Sequence, residues 1–252
     1  MTKVKKPVLA ANWKMNHGPS AARAVIAQYT THWTSRTDRT VIFFPPAISV
    51  TTVVEALGDR YDINVGVQNI WTEDGGAFTG ETSAPMAKDA GARFVLVGHS
   101  ERRHVFGETD EQTAKKSAAA ARHGLTPMLC IGELSTERDS GATHDVCHRQ
   151  LRAGLSLLTD DQIASMTIAY EPVWAIGTGK NATPEDASDV HGRIRATLTE
   201  LIGARASDVP ILYGGSVSAG NARALLSASN VDGLLVGGAS LDAVTWATIC
   251  EA

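Results

Sequence analysis

The sequence predicts one α/β domain, residues 1–252, in which eight parallel strands close into a (β/α)8 barrel. Short apolar runs alternate with segments of helical periodicity along the chain, and 252 residues is a usual length for one such barrel. No stretch rich in proline, serine and glycine divides the chain into domains. An open, doubly wound sheet would use the same alternation, but no GxGxxG motif follows a predicted strand.

Eight runs have the composition of buried strands. Several are apolar almost throughout, as expected for parallel strands that are covered on both faces. In chain order, the predicted strands are residues 7–12, 40–44, 63–67, 93–98, 126–131, 166–170, 209–213 and 231–237.

Three of the segments between the strands carry clear helix signals. Apolar side chains recur at intervals of three and four along residues 20–34, at Ala22, Val25, Ile26, Tyr29 and Trp33. Residues 109–123 are rich in alanine and end at Gly124, a typical helix-stop residue. Thr183 is a capping residue in front of Pro184 and two acids, which together predict the start of a long helix.

The composition argues against several classes of function. A net charge of −4 does not favour binding to nucleic acid or to an anionic membrane surface. No apolar stretch approaches the length of a membrane span and no signal peptide opens the chain, so we expect a cytoplasmic protein. Three cysteines, Cys130, Cys147 and Cys250, fall in no metal or redox spacing and are expected to be reduced thiols.

The segment AYEPVWAIGTGK, residues 169–180, is the most informative part of the chain. Glu171 ends a short apolar strand, and Pro172 favours an extended backbone at that carboxylate. The loop that follows is apolar in its centre and rich in glycine after it, which suits a lid. A carboxylate beside a lid is typical of a base that works shielded from water.

Polar residues follow other predicted strands as well. In a parallel barrel, the loops after the strand ends build the active site. The first strand leads to Asn12 and Lys14, and the fourth leads to His99. Glycine-rich turns follow the seventh and eighth strands, at residues 214–216 and 237–238, each ahead of a predicted helical stretch. Bare backbone N–H groups there suit an anion such as a phosphate.

Each polar residue also has a purely structural interpretation. Lys14 could be a surface lysine, His99 a hydrogen-bonded core histidine and Glu171 an exposed acid at a strand end. Against this, the apolar lid favours burial of Glu171. The Ser-Glu pair after His99 predicts a short helix whose N-terminus would lower the pKa of the imidazole.

Five segments resemble, in their order, the signature segments of the triosephosphate isomerase family. They are NWKMN at 12–16, GAFTGE at 76–81, GHSERR with FGE within 98–108, AYEPVWAIGTGK at 169–180 and YGGSV at 213–217. The resemblance runs from the first strand to the last helix. It implies a TIM barrel that needs no metal or other cofactor. It also implies proton transfer between dihydroxyacetone phosphate and glyceraldehyde 3-phosphate through an enediol, in glycolysis and gluconeogenesis.

The resemblance assigns roles to single residues. Glu171 would be the base, His99 a neutral electrophile and Lys14 a positive charge beside the substrate oxygen and the phosphate. The pairing of a glutamate base with a neutral histidine is already the established assignment for triosephosphate isomerases. Asn12 would hydrogen-bond the substrate oxygens, with Glu101 supporting the cluster. The remaining assigned residues are Gly177, Ser216, Gly237 and Gly238, whose N–H groups would hold the phosphate, and Ile176 and Leu235, which would press on the carboxylate.

The family is usually dimeric, which implies a homodimer through the loop at residues 68–81. Thr79 would reach toward Asn12 of the partner subunit. Trp71 and Phe78 favour burial of this loop over simple exposure.

Four positions depart from the usual pattern of the family. Thr82 and Ala87 stand where larger apolar residues are common, so a weaker dimer contact is expected. Asn181 stands where threonine is common, which bears on the kinetics of the lid. His17 stands where glycine is frequent, and the sequence assigns it no role.

Two other functions stay open at the level of sequence. One is a related isomerase that acts on a four-carbon ketose phosphate, since it would need the same base, electrophile and phosphate site. The intact interface loop and lid favour the three-carbon substrate. The other is a catalytically silent phosphate-binding barrel, which would most simply have lost Lys14, His99 or Glu171, and none of these is missing.

Overall fold

The computed structural model describes residues 4–175 and 182–252. Within these residues, eight parallel strands form one closed barrel in chain order, and the last strand pairs with the first. This confirms the predicted (β/α)8 barrel. The strands are β1 Val8–Asn12, β2 Thr40–Phe44, β3 Ile63–Val67, β4 Phe94–Val97, β5 Thr126–Ile131, β6 Thr167–Tyr170, β7 Ile211–Tyr213 and β8 Gly233–Val236.

Helices occupy the connections between the strands. The α-helices of the described residues are α1 Pro19–His32, α2 Val50–Leu57, α3 Ala84–Asp89, α4 Ser100–His104, α5 Asp110–Arg122, α6 Ser135–Asp139, α7 Thr143–Leu155, α8 Asp160–Ala164, α9 Pro184–Ile202, α10 Ala222–Leu226 and α11 Ala243–Cys250. Short 3-10 helices occur at Ala47–Ser49, Val173–Ala175, Gly203–Asp208 and Gly238–Ser240. No helix in the described part of the chain is both long enough and apolar enough to cross a membrane.

The capping residues predicted from the sequence form capping hydrogen bonds in the structure. Thr109 caps α5 in a reciprocal capping box, and Gly124 follows that helix with a φ of +74°. Thr183 forms the same kind of box at the start of α9. Helix α1 begins at Pro19 and ends at His32, within two residues of the predicted bounds.

Five strands, β1, β4, β6, β7 and β8, begin one or two residues later than predicted. β1 begins after Pro7 and β7 begins after Pro210, residues whose backbone has no N–H to donate to a ladder. β8 begins at Gly233, where β1 approaches so closely that a Cβ would lie 2.1 Å from the carbonyl oxygen of Val8. Only glycine permits this approach, which closes the barrel.

The strands are apolar on both faces because they contribute to two cores. Alternate residues point inward and fill the barrel, as Val8 and Ala10 do in β1. Their neighbours Leu9 and Ala11 point outward and pack under the helices. The three cysteines are all buried, and none of them forms a disulfide.

Candidate active site

The C-terminal ends of five strands surround a cavity of about 280 Å³. Eight of the predicted site residues line it: Asn12, Lys14, His99, Glu171, Ser216, Leu235, Gly237 and Gly238. The predictions for Ile176, Gly177 and Asn181 fall outside the described residues. A larger cavity of about 830 Å³ lies at the opposite end of the barrel and contains none of the predicted residues.

Glu171 is placed by the barrel itself. It directly follows β6, and its N–H donates to the carbonyl oxygen of Ile131 on β5 at 2.8 Å. The residue is only 2% exposed. One carboxylate oxygen accepts the Ser100 N–H at 2.8 Å, and the other lies 2.9 Å from Nε2 of His99. Burial of Glu171, predicted from the lid, is therefore observed.

His99 follows β4 and caps helix α4. Its Nδ1 accepts the Glu101 N–H at 3.3 Å. Because an ionised carboxylate only accepts, Nε2 carries the hydrogen that points at Glu171. The amide nitrogen of Asn12 lies 3.1 Å from the same Nε2. The contacts with Glu101 and Glu171 fit a neutral imidazole with its proton on Nε2, and in this tautomer the Asn12 amide nitrogen makes no hydrogen bond to Nε2, since both are donors.

The burial of Glu171 and His99 and the contact between them shift the pKa of each group in opposite directions. Burial favours the neutral form of both groups, but each group stabilises the charged form of the other. For Glu171, His99 and the Ser100 N–H outweigh burial and lower its pKa. For His99, the carboxylate outweighs burial and raises the pKa. The predicted lowering of the His99 pKa is therefore wrong for this arrangement, although the ring does lie at a helix N-terminus.

Lys14 lies in the loop between β1 and α1 with a φ of +51°, a left-handed conformation that is uncommon outside glycine. Oδ1 of Asn12 accepts its N–H at 3.0 Å, and the side chain of Gln68 donates to its carbonyl oxygen at 2.8 Å. Its ammonium lies 2.7 Å from Glu101, which is the contact expected of a supporting carboxylate.

The two glycine turns lie on one side of the cavity. A Cβ at position 214 would come within 2.9 Å of Cγ of Glu171, so this glycine makes room for the carboxylate. Gly238 begins a short 3-10 helix, where the sequence predicted a helical stretch. Residues 214–216 do not open a helix directly, because α10 starts only at Ala222. Any anion site at that turn therefore depends on bare N–H groups and not on a helix terminus.

Two residues near Glu171 were missed at the level of sequence. Ser100 holds the carboxylate through its backbone N–H, and the only signal was its place beside His99 in the GHSERR segment. Glu133, which follows β5, is fully buried and accepts hydrogen bonds from Tyr170 Oη at 3.1 Å and from Trp174 Nε1 at 2.8 Å. Burial raises its pKa. It anchors the start of the predicted lid.

Apolar side chains are exposed around the loop at residues 68–81. Met15 is 95% exposed and Phe106 is 67% exposed, and both line a cavity of about 310 Å³ that adjoins the active site. Phe78 is 40% exposed and packs on Trp71. Ala87, however, is buried in the core of its own chain. Its small size therefore does not bear on an interface, contrary to expectation.

Among the described residues, no three side chains of histidine, cysteine, aspartate or glutamate come together in a way that could hold a metal ion.

Known proteins are similar to this sequence over nearly its full length. The sequence model of the triosephosphate isomerase family matches residues 7–252. The triosephosphate isomerase of Solibacter usitatus is 45% identical over 247 residues, which is 98% of this chain and 99% of that protein. That of Moorella thermoacetica is 45% identical over 98% of both chains. That of Roseiflexus sp. is 46% identical over 241 residues, which is 95% of this chain and 94% of that protein.

Proposed function

The chain belongs to the triosephosphate isomerase family, and we propose that Glu171, His99 and Lys14 are the residues with which it interconverts dihydroxyacetone phosphate and D-glyceraldehyde 3-phosphate. The observation that carries this proposal is the 2.9 Å contact between Glu171 and His99, made in a cavity that Lys14 also lines. A carboxylate, an imidazole N–H and a cation around one small cavity suit proton transfer beside the carbonyl group of an anionic substrate.

Glu171 is the proposed base, and it has to move before it can act. Both of its oxygens are engaged, one by His99 and one by the Ser100 N–H. Turning away from them would end the two contacts that lower its pKa, while the burial that raises it would remain. The carboxylate would therefore become a stronger base as it reaches the substrate carbon.

His99 is the proposed electrophile. When Glu171 turns away, the N–H at Nε2 becomes available to donate to the carbonyl oxygen of the substrate. The contact that raises the pKa of His99 would be lost at the same time, so burial would favour the neutral ring. A neutral donor at this place agrees with the assignment already established for triosephosphate isomerases.

The reaction then moves protons between two carbons and between two oxygens. Glu171 takes a proton from C1 of dihydroxyacetone phosphate, and the electron pair moves onto the C2 carbonyl oxygen to give an enediolate, whose negative charge Lys14 stabilises. His99 donates its Nε2 proton to the C2 oxygen and takes up the proton of the C1 hydroxyl. Glu171 then returns its proton to C2, and the C1 oxygen becomes the carbonyl oxygen of the aldehyde. Asn12 would contact the substrate oxygens, since it lies between Lys14 and His99.

The phosphate group would lie against the two glycine turns. Ser216, Gly237 and Gly238 line the same cavity as Lys14, and backbone N–H groups and an ammonium are suitable partners for a dianion. The N–H of Gly177 and the apolar contact from Ile176 belong to the same proposal, on the side of the lid. Leu235 would press on Glu171 from β8.

A homodimer is the form in which we expect the chain to work. The apolar side chains of Met15 and Phe106 are exposed beside the cavity that adjoins Lys14 and His99. A partner loop that covers them would also restrict the loop that carries Lys14. We place this dimer, formed through residues 68–81, in the cytoplasm, where a triose phosphate isomerase would meet the substrates of glycolysis and gluconeogenesis.

The proposal is tested by measuring kcat/KM for glyceraldehyde 3-phosphate in a coupled assay with the purified chain. We expect roughly 10⁷ to 10⁸ M⁻¹s⁻¹. A value lower by several orders of magnitude, with faster turnover of a four-carbon ketose phosphate, would favour the related isomerase. Folded protein that binds inorganic phosphate but turns over neither substrate would identify a silent phosphate-binding barrel.

A further inference from the structure

His17 connects two loops that both contribute to the cavity. It lies three residues after Lys14 in the loop between β1 and α1. Its Nε2 lies 3.1 Å from the carbonyl oxygen of Leu241, in the loop between β8 and α11. Since a carbonyl oxygen only accepts, Nε2 carries the hydrogen and donates it. The imidazole therefore bridges the loops after the first and the last strand.

The position of His17 is fixed at several points. Its φ of +62° lies in the left-handed region, which histidine occupies more readily than most residues other than glycine. Oγ of the fully buried Ser49 donates to its carbonyl oxygen at 2.8 Å. Its ring packs edge-on against the fully buried Trp13, with the ring centroids 4.9 Å apart. With backbone and ring both held, the side chain has little freedom to leave Leu241.

The other end of this bridge is part of the glycine turn. The N–H of Leu241 donates to the carbonyl oxygen of Gly238 at 3.1 Å, and the N–H of Ser240 donates to that of Gly237 at 2.9 Å. Trp13 adds a second bridge, since its Nε1 donates to the carbonyl oxygen of Ser240 at 3.2 Å. A displacement of Leu241 would therefore move the turn at Gly237 and Gly238.

Lys14 lies directly over this turn. Its Cε is 3.4 Å from the place where a Cβ at position 237 would be. The lysine is carried by the same loop as His17, and the turn is carried by the same loop as Leu241. The contact between His17 and Leu241 thus joins the loop after β1 to the loop after β8. The spacing of these two loops sets the distance from the ammonium of Lys14 to the N–H groups of the turn.

We propose that His17 is a positioning residue that fixes the spacing between the ammonium of Lys14 and the turn at Gly237–Gly238. This inference rests on the proposed function, in which Lys14 and the turn bind the same phosphate group. His17 itself takes no part in the proton transfers. The phosphate stays bound throughout the reaction, so a change in this spacing alters substrate binding more than the chemical step.

The central test replaces His17 by glycine, which tolerates the same φ but removes the bridge. The kcat, the KM for glyceraldehyde 3-phosphate and the inhibition constant of inorganic phosphate are measured on the purified chain. We expect KM and the inhibition constant to rise about three- to tenfold, the range of one hydrogen bond. We expect kcat to stay within about twofold, because the variant loses phosphate binding that is equally strong in the ground state and in the transition state.

Two further variants separate positioning from a general effect on folding. Asn230→Gly also replaces a left-handed residue, with a φ of +64°, but at the opposite end of β8, so it should leave KM and the inhibition constant unchanged. His17→Gln restores a side-chain N–H and should recover part of the loss. Unchanged KM and phosphate inhibition in His17→Gly would overturn the inference, whatever happens to its melting temperature. Equal effects in Asn230→Gly would overturn it as well.

A third variant distinguishes this inference from the proposed function. Lys14→Met should raise the inhibition constant of phosphate and lower kcat/KM strongly. If Lys14→Met has these effects while His17→Gly has none, only the positioning role is wrong. If Lys14→Met changes neither quantity, the proposed function of Lys14 fails, and the role of His17 fails with it.

Discussion

Glu171 and His99 lie in direct contact, with 2.9 Å between a carboxylate oxygen and Nε2, and the two residues are only 2% and 5% exposed. The contact keeps the carboxylate ionised in a place where burial alone would favour its protonated form. It also orients the imidazole N–H toward the cavity. The same contact therefore prepares both groups, and one movement of Glu171 would make both available.

Removal of the carboxylate charge should abolish most of the activity. Glu171→Gln retains the shape of the side chain but cannot take up the proton, so we expect kcat to fall by roughly 10² to 10⁴. The coupled assay described above measures this. Glu111→Gln is the matched control, because that side chain is 76% exposed on α5 and should leave kcat unchanged. A kcat of Glu171→Gln within tenfold of the parent would rule out Glu171 as the base.

Acid should destabilise the chain through His191 on α9. This histidine is fully buried and its Nδ1 lies 3.0 Å from the carbonyl oxygen of Asn230, while its Nε2 has no hydrogen-bond partner within the described residues. Burial lowers its pKa from 6.5 to about 4. The unfolded chain therefore binds more protons than the folded chain between these values. The stability that neutral His191 contributes is complete above pH 6.5 and is lost as the pH falls toward 4.

Denaturant unfolding at pH 7 and pH 4 measures this contribution. We expect roughly 3 kcal/mol of the decrease in unfolding free energy to come from His191. His191→Gln should be less stable at pH 7 but should lose less stability on acidification. Equal losses in the parent and the variant would show that other groups account for the acid sensitivity.

Replacement of Glu133 by glutamine should not destabilise the protein. One carboxylate oxygen accepts from Tyr170 and Trp174, and a glutamine oxygen can accept both bonds. Burial raises the pKa of Glu133, so stability is lost as the pH rises above 4.5 and the carboxylate ionises. Glu133→Gln should therefore match the parent at pH 4 and equal or exceed its melting temperature at pH 7.

Glu133→Leu is the contrasting variant. It leaves the buried hydroxyl of Tyr170 without this acceptor, at a cost of about 1–3 kcal/mol. Its melting temperature should fall at both pH values. The interpretation would be wrong if glutamine and leucine destabilised the protein equally.

A charge in the exposed apolar patch should prevent dimerisation. Met15 is 95% exposed beside the cavity at residues 68–81, and Met15→Asp would place a carboxylate inside the proposed contact. We expect sedimentation as a monomer and a lower kcat/KM, since the loop that carries Lys14 loses its cover. Tyr61→Asp, at an 81% exposed position on the opposite end of the barrel, should stay dimeric. A parent chain that is fully active as a monomer would contradict the proposed assembly.

Local patterns in the sequence account for most of the fold. The strands contribute to two cores and therefore appear apolar on both faces, as the runs around Val8 and Leu9 illustrate. Thr109 and Thr183 cap helices that begin one residue later. The predicted bounds of the strands were less accurate, because the residues at which a strand begins and ends depend on its pairing with the adjacent strands. The approach of Val8 to Gly233 joins two strands that are more than 220 residues apart.

The residues that line the candidate site could be predicted from the sequence, but their effects on one another could not. Lys14, His99 and Glu171 follow predicted strands, so their meeting at one face required only the barrel topology. The pKa direction of His99 was wrong, because it is decided by contact with a carboxylate 72 residues away in sequence and not by the adjacent helix. The bridge from His17 to Leu241 is equally non-local, which is why the sequence assigned His17 no role.

The three buried cysteines give this protein built-in reporters of its own breathing motions. Burial raises the pKa of each thiol, so almost no thiolate reaches a reagent while the barrel is closed. Cys130 lies on β5, Cys147 on α7 and Cys250 at the end of α11. The labelling rate of each thiol would therefore measure how often its own element opens. One labelling experiment, without any engineered probe, would therefore give separate opening rates for β5, α7 and α11.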